Sequence, residues 1–148
     1  MQVEERLEDI GIDLEEPGGE KGKTAPALRT GSLVFTSAFS SDEQGKLGGD
    51  IPATQGYHEV RDATARCLSA IKTVIGDLDK ITQIVKIQVF INCTPEFTDQ
   101  VQVIHGATEL LLDAFGEDIG RHVRSSAGVQ QLHDNAVVAV DMIVEVRD

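Results

Sequence analysis

The chain has 148 residues, 41% hydrophobic and 26% charged, a globular composition that suits one ordinary domain with a real core and is short for two. Its 25 acidic against 13 basic residues leave a formal charge of −12, which repels phosphates at long range and argues against a nucleic-acid partner. The apolar runs are broken by charges well short of bilayer length, and the opening MQVEERLEDIGIDLEEPGGE lacks the basic and apolar blocks of a secretory signal, so no membrane partner and a cytoplasmic location are expected.

Val3, Leu7 and Ile10 follow the i, i+4, i+7 spacing of a short amphipathic helix lying on the body. The stretch EEPGGEKGK at 15–23 combines Pro, Gly and charge and reads as a flexible link, so 1–23 form a helix and linker ahead of a domain at 24–148. Residues 25–29 and 33–39 flank Thr30-Gly31-Ser32, the pattern of a hairpin. Thr54 is placed to cap a helix whose buried face holds Val60, Ala63, Cys67, Leu68, Ile71, Val74 and Ile75 until Gly76 stops it. In ITQIVKIQVFINC the period changes to two, with Val85, Ile87, Val89 and Ile91 on one face and Lys86, Gln88 and Phe90 on the other. Thr94-Pro95-Glu96 offers an N-cap, a first-turn proline and an acid for a second helix, with Phe97, Val101, Ile104, Thr108, Leu111 and Phe115 as its core stripe. Two strands follow, at 122–126 and 137–146.

Strands interspersed with two long amphipathic helices imply an α+β fold with both helices on one face of a mixed sheet. On the last strand Val138, Val140, Met142, Val144 and Val146 form one row and Val137, Ala139, Asp141, Ile143 and Glu145 the other. A sheet covered by helices on one side and partly apolar on the other predicts self-association through the open face. Cys67 and Cys93 have no metal-type spacing and read as buried thiols.

Three segments, RTGSLVFTSA, VKIQVFINCTPEFTDQ and RHVRSSAGVQQLHDNAVVAVDMIVEV, together with the intervening helix, resemble the YjgF/RidA (reactive-intermediate imine deaminase, endoribonuclease L-PSP-like) family over 24–146. The resemblance implies a chorismate-mutase-like mixed sheet with two long helices on one face, a homotrimer with sites in clefts between subunits, and a small carboxylate metabolite as ligand. The activity it implies is hydrolysis of 2-imino or enamino acids to keto acids and ammonia, with no metal and no organic cofactor. The helix at the start, FTDQ and HVRSSAGV resemble a divergent branch more than the deaminating one.

Carried over by resemblance, Arg124 occupies the place of the arginine that grips the substrate carboxylate, a task suited to a planar, permanently charged fork of donors. Alternation sets His122, Arg124 and Ser126 on one strand face. His122 is either a proton carrier or anion contact, or a hydrogen-bonded residue at a subunit boundary. Ser126 stands where the deaminating branch commonly has cysteine, Ser37 fits the family's strand serine, and His105 replaces an asparagine of the second helix. Thr24 replaces a common tyrosine and Ala38 a glycine. The largest departure is Ala139, where deaminases commonly carry a glutamate that activates water; alanine has no proton to exchange. Asp141, two residues along, is the candidate replacement or else a solvent or interface carboxylate. A non-catalytic small-molecule binding or sensing protein is therefore the alternative function.

Overall fold

The computed structural model describes residues 2–14 and 22–148; most of the expected 15–23 link lies outside them. The elements are α1 (Gln2–Asp9), β1 (Ala27–Thr30), β2 (Leu33–Thr36), β3 (Phe39–Ser40), α2 (Ala53–Ile75), β4 (Ile81–Asn92), α3 (Gln100–Gly120), β5 (Val123–Val129) and β6 (Val138–Val146). The sheet order is β1-β2-β6-β4-β5, with β3 also on β6. All pairings are antiparallel except β4 with β5, and α3 is the crossover between those two strands. This is the expected α+β fold, a mixed sheet with two long helices.

The core lies between the sheet and the pair α2 and α3. Val138, Val140, Met142, Val144 and Val146 are all buried, as the alternation of β6 requires. On the opposite face the register aligns Leu28, Phe35, Ile143, Lys86 and Val123 in one row across five strands. Leu28 and Val123 are 62% and 64% exposed, so this face carries apolar surface that none of the described elements covers.

Several local expectations shift, each for a visible reason. In β4 the pairing with β6 slips between Ile84 and Lys86, so Ile84 is buried while Val85 is only half-buried, and strict alternation resumes at Ile87. Pro52, not Thr54, precedes α2, and no side chain caps it. Gly76, with φ +84°, ends α2 as expected, its amide donating to Lys72 O at 2.8 Å. The segment from Thr94 forms a turn, the Phe97 amide donating to Thr94 O at 3.1 Å, rather than the start of the helix, and α3 begins at Gln100. Its buried stripe is Val103, Ile104, Ala107, Leu110, Leu111, Ala114 and Phe115, whereas Val101 is exposed and Thr108 half-exposed. Val74 of α2 is likewise exposed. Cys67 is fully buried, but Cys93 is only partly so.

The first helix docks by burying Val3 and Leu7, and by its Gln2 and Val3 amides, which donate to the Asp79 carboxylate at 2.8 Å each. Hydrogen bonds from the amino-terminal end of α1, the Val3 and Gln2 amides among them, hold that carboxyl down at about 2, below its ordinary 3.8. A depressed acid stabilises the fold fully above its unfolded value and loses that contribution as pH falls through the folded one, so docking of α1 should weaken between about pH 4 and pH 2. Amide protection factors of α1 are expected to drop in that window ahead of those of β4 and β6, and Asp79→Asn should remove the step. Equal pH dependence in both proteins would disprove the coupling.

Candidate functional site

β5 is an edge strand, and its pairing with β4 places Arg124 beside Ile87 and Ser126 beside Val89, both of which face the helices. Arg124 is exposed, and its Nη1 donates to Thr108 Oγ1 on α3 at 2.9 Å. The same hydroxyl lies 3.1 Å from His122 Nε2, and His122 Nδ1 lies 2.7 Å from Gly120 O. A carbonyl oxygen only accepts, so Nδ1 carries the proton; in the neutral ring Nε2 then accepts from the Thr108 hydroxyl, whose lone pairs remain for the guanidinium. The result is a directed chain from Arg124 through Thr108 and His122 to the backbone at the end of α3.

The expected convergence of His122 with Arg124 is thus present, through a residue that periodicity had assigned to the core stripe. Thr108 is the site residue that sequence reasoning missed. The available signal was its place one turn after His105, on the helix surface that precedes Arg124. His105 is half-buried on α3 and Ser126 exposed on β5.

Ser37 and Asp141 lie elsewhere. Ser37 Oγ donates to Ala25 O at 2.8 Å, closing the base of the β1–β2 hairpin. The strand it follows, β2, is separated from β5 by β6 and β4, roughly 14 Å at ordinary strand spacing. Ala139 and Asp141 share a face, as alternation demands, but it is the open one: their β4 partners are Phe90 and Gln88, and Gln88 in turn pairs with Ser125 rather than Arg124. Within one chain, Asp141 therefore faces away from the guanidinium. Burial pushes its carboxyl above the ordinary value, against the pull of the Lys86 ammonium. Ala139 is 8% exposed and brings only a methyl group to this surface.

Some cations of the chain are paired with acids, and others, Arg124 among them, are held by neutral oxygens. Arg29 pairs with Asp148 at 3.0 Å, Arg66 with Asp42 at 2.6 Å and Lys72 with Glu4 at 3.3 Å. Arg124 is tethered instead by a neutral hydroxyl, with no carboxylate partner among the described residues. One N–H of its fork is used and the outward ones can meet an incoming carboxylate as a pair.

Comparison with known proteins agrees with this architecture. The family model described as "YjgF/chorismate_mutase-like, putative endoribonuclease" matches residues 4–146. Protein TCP17 of Trypanosoma cruzi is 40% identical over 104 residues, 70% of this chain and 65% of that protein, so the chain spans just under two thirds of the relative's length. A protein of unknown function from Agrobacterium tumefaciens superposes with a TM-score of 0.90 at 30% identity, over 98% of this chain and 92% of its own. A Shewanella oneidensis structure described in the same endoribonuclease terms gives 0.93 at 28% identity, over 99% and 100%. Escherichia coli TdcF, solved with bound serine, shares the fold at 0.56 and 21% identity, over 91% and 98%. With one family model matched from α1 to the end of β6 and the same sheet and helix arrangement, this chain belongs to the YjgF family.

Proposed function

We propose that the protein binds a small carboxylate-bearing metabolite, anchored on Arg124, in a cleft completed by a second copy of the chain in a homotrimer. The observation that carries this reading is the acid-free tether of Arg124. In a chain of charge −12, an arginine held by Thr108, itself bound to His122, without a carboxylate leaves a fork of donors for an external one. The exposed Leu28, Phe35 and Val123 on the open face support self-association, which is also what would bring Ser37 of another copy towards the β5 edge. The same net charge weighs against RNA as a substrate.

A second reading, hydrolysis of 2-imino or enamino acids, is favoured by the retained Arg124 and by the electrophilicity of an imine carbon, to which a positioned water could add. It lacks the carboxylate that would activate water beside Arg124 in the same chain, since position 139 is alanine and Asp141 lies on the other sheet face. Binding or sensing is therefore the function supported best. The test is the hydrolysis rate of freshly generated 2-imino acids, with solution mass measured in parallel. We expect no acceleration over buffer by the wild type and a mass three times that of the chain. Turnover that disappears in Arg124→Ala would establish the hydrolytic reading instead, and a monomer would remove the intersubunit cleft.

A further inference from the structure

A second cleft, of about 580 Å³, opens at the carboxyl ends of the parallel pair β4 and β5, with Lys46, Cys93, Thr94, Phe97, Gln100 and Gln130 in its walls. Gly128, on its β5 side, lies four residues beyond Arg124, roughly 13 Å along an extended strand, so the two sites are separate. Ligands favour the crevice beyond the carboxyl ends of parallel strands, because the chain must leave the sheet there by loops that can carry side chains.

The lysine is set in place from below. Asn92 is fully buried, and its amide nitrogen lies 3.1 Å from Gly45 O, 3.0 Å from Ala136 O and 3.0 Å from Asn135 Oδ1. With the amide so committed, Oδ1 points the other way and accepts from Lys46 Nζ at 2.7 Å; the same ammonium donates to Gln130 O. Both acceptors are neutral. The neighbouring acid, Asp50, takes the Lys46 backbone amide at 3.2 Å rather than the ammonium. With two of its three N–H groups on uncharged oxygens, the ammonium of this half-buried lysine has one donor left for a further partner.

The wall opposite is built by close approach. A Cβ at Gly128 would stand 2.9 Å from Cys93 Sγ and 3.5 Å from Gln100 Nε2, so glycine is what lets the thiol and the amide lie against β5. Phe97 and Val129 add apolar surface beside Thr94 and Gln130. One fixed cation, several neutral hydrogen-bonding groups and an apolar wall match one ligand chemistry.

We propose that this cleft is a second small-molecule site, for a short-chain monocarboxylate whose carboxylate meets Lys46 and whose carbon chain lies on Phe97. A single cation balances a single negative charge, and the overall charge of −12 disfavours dianions. The apolar wall has nothing to offer inorganic phosphate.

The protein supplies its own reporter. Cys93 lines the cleft, whereas Cys67 is fully buried with its thiol pushed up to about 12, so alkylation by neutral iodoacetamide should fall on Cys93, with Cys93→Ala as the blank. Intact mass would follow the rate during titration with hexanoate, hexanamide or inorganic phosphate. The expected result is a slowing by hexanoate of at least about fivefold, with neither hexanamide nor phosphate protecting at the same concentration, as expected where charge and apolar contact are both required. Protection should persist in Lys46→Arg and in Arg124→Ala and be lost in Lys46→Met. Equal protection by hexanamide would make the cleft a mere apolar groove, and equal protection by phosphate would remove the organic ligand. No protection by hexanoate at tens of millimolar would overturn the site altogether. The wild-type comparison decides these points whatever the variants do to the fold.

Discussion

Arg124→Ala is expected to weaken the binding of a small 2-keto carboxylate by roughly 10- to 150-fold, the equivalent of the about 1.5–3 kcal/mol that a hydrogen bond to a charged group contributes. The magnitude rests on what replaces the lost contact. Lys86, the cation of neighbouring β4, shares the open face with Val123 and Ile143, away from the face of β5 that carries Arg124, and so does not take over the contact. Arg124→Lys separates charge from geometry: it keeps the Coulomb attraction and loses the paired donors, and should fall between wild type and alanine. Thr108→Val tests the tether alone. It leaves the guanidinium free to sample several rotamers and removes the acceptor of Arg124 and the donor to His122, so a few-fold loss is expected, paid as ordering entropy on binding. Isothermal titration calorimetry on the three variants gives the ranking directly. Unchanged affinity in Arg124→Ala would sink the proposed anchor, while a Thr108→Val loss as large as that of Arg124→Ala would mean that α3 itself touches the ligand.

Much of the fold was legible because burial and period coincide. The rows of β6, the stop of α2 at Gly76 and the Thr30-Gly31-Ser32 turn each follow from a local rule, and the structure keeps all three. The departures come where a contact distant in sequence overrides the local signal. Thr94-Pro95-Glu96 has the composition of a helix start, yet the chain there makes an isolated turn beside Leu47, forty-seven residues earlier, and the helix begins only at Gln100. Val85 looks like a core residue until the slip against Ile143 and Val144 hands its place to Ile84. The site was legible in part for the same reason. Alternation placed His122 with Arg124, but a threonine at helical spacing among Ile104, Leu111 and Phe115 gives no sign that its hydroxyl points to the strand. Asn92 and Lys46 gave still less: an asparagine closing an apolar strand reads as punctuation, and a lysine in a polar loop as solvent-facing, until the chain folds one onto the other. That Asp141 shares a face with Ala139 follows from period two; that this face is turned away from Arg124 depends on strand order, which no local pattern encodes.

Gly106→Ala should be among the most destabilising single-methyl changes available to this chain. A Cβ at position 106 would lie 2.1 Å from Tyr57 O and 3.2 Å from the Arg61 amide nitrogen, both backbone atoms of α2, so no rotamer change can relieve the overlap. The helices would have to part by about 1 Å along a packed interface, where overpacking costs typically 1–3 kcal/mol and more when only backbone can yield. We expect a loss of about 3 kcal/mol, roughly 10 °C in Tm for a chain of this size, read by thermal and urea unfolding. The substitution raises helix propensity, which by itself would stabilise; a net loss therefore measures the clash against an opposing term. The same glycine bears on the ligand site. It lies between His105 and Thr108, so any outward shift of α3 carries the Thr108 hydroxyl away from Arg124, while β5 stays fixed by its pairing with β4. Gly106→Ala should therefore lose carboxylate affinity even at a temperature where it remains fully folded, by about the factor seen in Thr108→Val, and the double variant should lose little more than either alone. Additive losses would show that helix spacing and the Arg124 tether are independent, and wild-type stability in Gly106→Ala would show that the two helices are free to slide.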